Sequence, residues 1–425
     1  MSLTRRSVLA SAGAGALAAG LGGSTLARGA PGTPKLIVIL ANGGWDTTYC
    51  FDPKLGVAGV EGPEVDADPA NPEDVDAVET WSGIPIVGNP ASRPSVSQFF
   101  ERWGSRTAVV NGVAMGSIAH QACRLRVLTG TGRSISPDVT SIAGRVLGSD
   151  LPLGSIDFSG LGYVGSLGAW SATAGANGQL RALVDPTSLF VPGPGAPPTT
   201  MPDDAARAAV AGVVGARHQA FRDRFGAQVE MDAWDAARLR ADRLLKDGPA
   251  HLGALPIGLP PEFNAQSAVG VDLLASGLCR AILLDSGEAW DTHYDTADQQ
   301  RAYERFFRSL GVLIDGLDTS GQLDDTLVAV VSEMGRMPVR NEALGKDHWS
   351  HTSAMFLGGP VRGGRVLGAT DDGLTGQPVD LETGEPDEDG TLVQYSNLVA
   401  GLLDAIGVDP EEWLPGTVPY RGPYA

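Results

Sequence analysis

The chain has 425 residues, 43% of them hydrophobic, 19% charged and 6% aromatic, which suits a globular core and excludes a disordered or collagen-like chain. Fifty acidic residues against 31 basic ones give a formal charge of −19, which excludes a nucleic-acid surface held by counterion release. Three cysteines, Cys50, Cys123 and Cys279, form no C-x-x-C pair, so a disulfide scaffold and a cysteine-type zinc finger are excluded and any metal needs other ligands.

Residues 1–30 read as an export leader. Thr4-Arg5-Arg6 opens an Ala/Gly-rich apolar stretch through Leu21, and small residues around Ala27 and Ala30 suit cleavage. This is the order of a twin-arginine signal. The apolar part falls short of the ~20 residues a bilayer span needs, and no other stretch is expected to span. The expected partner in export is the twin-arginine translocase, the expected location is the periplasm or cell exterior, and the mature domain is 31–425.

Leu36-Ile37-Val38-Ile39-Leu40 is a continuous apolar run broken at Asn42-Gly43-Gly44, the pattern of a strand buried on both faces. A second strand is predicted over 108–113 and leads toward His120. The G-x-G-x-x-G at 160–165 lacks a helix opening behind it, which argues against a dinucleotide site. A Pro/Gly-rich stretch over 184–202 precedes a helical segment capped by Asp203, with Val210, Val213, Val214, Phe221 and Phe225 at helical spacing and Gly248 at its end. Residues 184–250 therefore read as a linker and helical cap inserted in one domain. A helix begun by Asn264 leads to a third strand over 281–284. Tyr303, Phe306, Phe307, Leu310, Leu313, Ile314 and Leu317 mark a further amphipathic helix, and a fourth strand follows over 326–331. A last helix, 396–406, stops at Gly407. Helix-then-strand repetition predicts an α/β fold, with a mostly parallel sheet covered on both faces. Acidic stretches at 61–79 and 371–389 match no EF-hand and read as solvated loops.

The polar chemistry gathers at strand ends, where α/β sheets bind ligands. Trp45-Asp46-Thr47 follows the first strand and Trp290-Asp291-Thr292-His293 the third, so one triplet recurs at equivalent places. The fourth strand delivers Ser332-Glu333-Met334-Gly335-Arg336, with Asp347, His348 and His351 just beyond. His348 and His351, three apart, suit one face of a helical turn or a loop. Carboxylates beside imidazoles are a donor set for a divalent cation such as Zn²⁺, Mn²⁺ or Fe²⁺, with Ca²⁺ open as well. Trp45 and Trp290 are expected either to wall the cleft or to pack in the core. No H-E-x-x-H, G-x-S-x-G or Walker loop occurs, so the main signals for a zincin, a serine hydrolase or a P-loop ATPase are missing.

G-G-W-D at 43–46, W-D-T-H at 290–293, S-E-M-G-R at 332–336, D-H at 347–348 and G-G-x-V-x-G at 363–368 resemble the secreted family known as domain of unknown function 1501, placed in the alkaline phosphatase-like superfamily. The likeness covers nearly all of the mature chain. It implies a three-layer alkaline phosphatase-like sandwich with a metal site at the sheet edge, held by Asp46, Asp291, His293 and Glu333, with Asp347 and His348 or His351 beyond. In sulfatases of that superfamily the nucleophile lies in a C-x-P-x-R motif; here His120 takes the nucleophile's place and Arg124 that of the motif's arginine, so formylglycine chemistry is excluded. Met334 stands where a metal-binding histidine is frequent, and a thioether suits a hard ion poorly. The implied function is hydrolysis of small-molecule or polysaccharide phosphate or sulfate esters, with His120 or a metal-bound water as nucleophile and Arg124 or Arg336 as counter-charge. The alternative is a non-catalytic, metal-containing envelope or polysaccharide-binding protein on the same fold.

Overall fold

The computed structural model describes residues 32–63, 71–174, 203–226, 228–252 and 262–424; the leader expected over 1–30 and the Pro/Gly-rich stretch over 184–202 lie outside them. Twelve strands occur among the described residues. They are β1 (Lys35–Ala41), β2 (Ala77–Trp81), β3 (Ile84–Gly88), β4 (Thr107–Ala114), β5 (Ser155–Asp157), β6 (Ser171–Thr173), β7 (Ala281–Asp285), β8 (Thr326–Ser332), β9 (Gly335–Arg336), β10 (His348–Trp349), β11 (His351–Leu357) and β12 (Arg365–Leu367). Eight form the central sheet in the order β12-β4-β11-β8-β1-β7-β5-β6. β1 pairs in parallel with both β7 and β8. Only β11 runs against its neighbours β4 and β8.

The apolar run of β1 explains the layering. Successive side chains of a strand point to opposite faces, and both faces of this one are covered. Ile37 and Ile39 pack in one buried cluster with Phe99, Phe306, Phe307 and Leu310, under the helices Pro94–Trp103 and Ala297–Thr319. Leu36, Val38 and Leu40 pack in the other with Val127, Ile142 and Leu402, under His120–Thr129, Val139–Leu147 and Tyr395–Ala405. All seven apolar positions expected on the helix Ala297–Thr319 are buried, and each contributes about 1.5–3 kcal/mol relative to exposure. The result is a three-layer α/β fold with a mostly parallel sheet.

Asp203 caps the helix Asp204–Phe225 as its sequence suggests, accepting from the Ala206 N–H at 2.7 Å. That helix ends at Gly226, whose φ of +73° reverses the chain, and a second helix, Val229–Leu252, continues through Gly248. Of the apolar positions at helical spacing, Val210, Val213, Phe221 and Phe225 are exposed. Trp45 and Trp290 lie in the core; both are fully buried and meet edge to face at 6.0 Å. In the 160–165 loop, the Gly160 and Gly162 N–H groups donate to Asp157 and the Tyr163 N–H to Asp138, which removes the donors a phosphate would need. Asp371 and Asp380 accept from N–H groups two to four residues ahead, forming local solvent-facing turns. No helix among the described residues is long and apolar enough to cross a membrane.

Candidate metal centre

The carboxyl ends of β1, β4, β7 and β8 reach one edge of the sheet. β11, being antiparallel, brings its start there instead, together with β10 just before it. After β1, Gly43 and Gly44 turn at φ +123° and +91°, a region that favours glycine. The turn lets the backbone lie against the next loop: a Cβ on Gly43 would sit 2.8 Å from the Asp291 nitrogen, and one on Gly44 2.7 Å from Met334 Cγ. Gly43→Ala is expected to cost about 1–3 kcal/mol in backbone strain and to push the Asp291 loop outward. Thermal unfolding with and without Mn²⁺ should then show a lower melting temperature and a smaller cation-induced rise than in the unaltered chain.

His120, Asp291 and His348 present donor atoms that all lie within 4.8 Å of one another. His120 Nε2 is 3.4 Å from Asp291 Oδ2, and His348 Nε2 is 3.3 Å from Asp291 Oδ1. His293 joins the same space, its Nε2 3.1 Å from Asp291 Oδ1 and 2.9 Å from His348 Nε2. Tetrahedral ligands about 2.0–2.1 Å from one ion stand about 3.3 Å apart, so these separations match the edges of such a polyhedron.

The outer contacts fix the imidazoles. His120 Nδ1 lies 2.6 Å from Glu333 Oε1, which also accepts from the Gly43 N–H at 2.9 Å. His348 Nδ1 meets the Ile118 carbonyl at 2.8 Å, and His293 Nδ1 meets Asp347 Oδ1 at 3.1 Å. A ring nitrogen that donates to a carbonyl or carboxylate leaves the other nitrogen as a bare donor to a metal. Burial opposes the charge on Asp291, but the hydrogen bond and charge of Arg336, with His348 and His120, outweigh it and hold the carboxyl below its usual range. Burial lowers the His348 pKa against the pull of Asp291, favouring the neutral ring that ligates. Glu333 is fully buried, and its Oε2 has no hydrogen-bond partner among the described residues. A buried, unmatched carboxylate oxygen is costly without a positive neighbour, so the donor set fits a divalent cation.

The other expected site residues fall elsewhere. Asp46 does not face the imidazoles: its Oδ2 pairs with Lys346 Nζ at 2.7 Å, and its Oδ1 accepts from Thr48 Oγ1 at 2.7 Å and the Thr48 N–H at 3.1 Å. Arg336 is fully buried. Its guanidinium donates to the carbonyls of Gly43, Gly44, Trp290 and Lys346 and to Asp291 Oδ1, so it ties three loops together and does not face solvent. Arg124 is half-buried and donates to Asn42 Oδ1 at 3.1 Å. Asp347 stands behind His293. His351 opens β11 with its Nδ1 3.3 Å from Ser350 Oγ; it and His348 lie on two strands, not on one helical turn, because β11 starts at His351. Met334 is buried against Gly44.

Lys346 and Gln299 were not foreseen. Gln299 accepts from the Asp46 N–H and donates to the Trp290 carbonyl and Thr292 Oγ1, so it joins the first-strand loop to the Asp291 loop. Lys346, one of only four lysines in the chain, directly precedes Asp347-His348; that rarity beside a motif is the one signal for it. Gln299 sits on a helix with no such mark.

A model of the family described as "Protein of unknown function (DUF1501)" matches residues 33–417. No curated protein matches. Among solved structures, Ps i-CgsB in complex with k-i-k-neocarrahexaose is 10% identical, with a TM-score of 0.41, over 91% of this chain and 75% of that one. The lipoteichoic acid synthase LtaP from Listeria monocytogenes is 9% identical, with a TM-score of 0.36, over 92% and 75%. The phosphonate monoester hydrolase of Agrobacterium radiobacter is 12% identical, with a TM-score of 0.36, over 91% and 78%. At such scores these likenesses bear no weight for substrate or chemistry.

Proposed function

Because the chain belongs to the DUF1501 family and a His-Asp-His donor set converges at its sheet edge, we propose that it is a divalent-cation-dependent hydrolase of phosphate or sulfate esters. The observation that carries this is the convergence of His120, Asp291 and His348, with His293 alongside, from segments up to 228 residues apart. The leader motif Arg5-Arg6 assigns it to twin-arginine export and to the periplasm or exterior. Zn²⁺ and Mn²⁺ suit the mixed imidazole and carboxylate donors best.

Bound there, the cation supplies Lewis-acid polarisation of an anionic ester. The chain's own groups do the rest. Glu333 Oε1, 2.6 Å from His120 Nδ1, orients that ring as a ligand. Both His120 nitrogens thereby face carboxylates, so His120 is a poor nucleophile and the attacking group is a water from the open side. Asp347, exposed and hydrogen-bonded to His293 Nδ1 at 3.1 Å, holds the second imidazole. Arg124, fastened to Asn42, supplies the counter-charge for the ester's anionic group.

A second reading, a non-catalytic envelope or polysaccharide-binding protein that keeps the cation, draws on that same engagement of His120, because it leaves no side-chain nucleophile at this place. One experiment separates them. Metal-free protein given Mn²⁺ or Zn²⁺ is assayed on phosphomonoester, phosphodiester and sulfate ester substrates, with melting temperature followed in parallel. At a cation concentration of 100 Kd the fold should gain about 2.7 kcal/mol, and turnover should appear with the metal and vanish with chelator. A cation-induced rise without turnover on any of the three would favour the binding protein; no rise at all would overturn both readings.

A further inference from the structure

We infer that the Lys346 ammonium is a built-in cation standing where a metal would otherwise neutralise Asp46, so that the chain holds a single exchangeable divalent cation. This rests on the reading of the His120, Asp291 and His348 group as a cation site. The resemblance in the sequence implies that Asp46, on the first-strand loop, is a metal ligand. The residues around it do not fit one. Lys346 Nζ stands 2.7 Å from Asp46 Oδ2, with the two side chains 0% and 1% exposed. Asp46 Oδ1 is already taken by the Thr48 hydroxyl and N–H. Oδ2 faces the ammonium, and an ion near enough to bind Asp46 would sit in contact with that buried cation of like charge.

The backbone that carries the ammonium is anchored. The Lys346 N–H donates to the Thr292 carbonyl at 3.1 Å, and the Lys346 carbonyl accepts from Arg336 Nη1 at 3.0 Å. The charges point the same way. Asp46, Asp291, Glu333 and Asp347 bring four carboxylates to this edge, and Lys346, Arg336 and Arg124 bring three cations. One divalent ion among neutral imidazoles leaves a modest positive excess, suited to an anionic ligand. A second ion would leave a large excess in a buried place.

The test is a count. Metal-free protein and the Asp46→Asn variant are titrated with Mn²⁺ by calorimetry, with elemental analysis after desalting. The expected result is one equivalent in each, at unchanged affinity. Two equivalents in the unaltered chain, one of them lost in Asp46→Asn, would overturn the inference while leaving the cation reading in place. No binding to the unaltered chain would overturn that reading and the count with it. Should Asp46→Asn fail to fold, anomalous diffraction from Zn²⁺-soaked crystals of the unaltered chain decides instead. A single peak between His120, Asp291 and His348 is expected, and a peak at ligand distance from Asp46 refutes the proposal.

Discussion

Replacing Lys346 by methionine should destabilise the fold by about 3–5 kcal/mol, the usual cost of leaving one charge of a buried pair without its partner. Among the described residues the buried Asp46 carboxylate would then keep only the Thr48 hydroxyl and N–H as hydrogen-bond donors. Restoring neutrality tests the cause. Lys346→Met combined with Asp46→Leu should recover most of the loss, because apolar groups of similar volume replace a buried ion pair at little cost or even with gain. Chemical denaturation midpoints of the two single variants and the double variant close the cycle. A Lys346→Met protein within 1 kcal/mol of the unaltered chain would show that the pair does not hold the loops.

The second large effect concerns binding. His348→Ala removes a donor whose ring is mostly covered and whose second nitrogen meets the Ile118 carbonyl. Cation affinity should fall by more than about 100-fold, beyond the 10–100-fold that supporting contacts alone command, while the metal-free protein melts close to the unaltered chain. Asp291→Ala should abolish binding too, and in addition lower the metal-free melting temperature, since Asp291 Oδ1 is the only side-chain acceptor among the described partners of the buried Arg336 guanidinium. Calorimetric titration beside thermal unfolding reads both quantities. If His348→Ala binds as tightly as before, that ring is not a ligand.

The central layers were legible in sequence because their signal is local. Four of the sheet's strands are uninterrupted apolar runs or end at glycine-rich turns, and the helix Ala297–Thr319 repeats its aromatic and leucine positions at one helical face. β11 was not legible. It begins with His351-Thr352-Ser353, polar residues with no strand pattern, and it is a strand because it pairs with the backbone groups that β4 and β8 present on either side of it. At Val210, Val213, Phe221 and Phe225 helical spacing is present, yet all four are exposed among the described residues.

At the site, residue types were legible and partners were not. Recurrence of Trp-Asp-Thr marked Asp46 and Asp291 alike, yet the two do different work. Asp291 faces imidazoles, and Asp46 faces an ammonium from a loop 300 residues away. Spacing reports which side chains reach an edge of the sheet; it does not report which of them is already matched there. Arg336 illustrates the same point, since a conspicuous arginine beside a motif proved to be enclosed by carbonyls.

The place of β1 in the sheet has a consequence for biosynthesis. Its two neighbours are registered at Leu36 with Ala281 and Leu36 with Leu327, so β1 waits for segments made some 250 and 290 residues later. At 5–20 residues per second that delay is about 15–60 s, during which a seven-residue apolar strand has no partner.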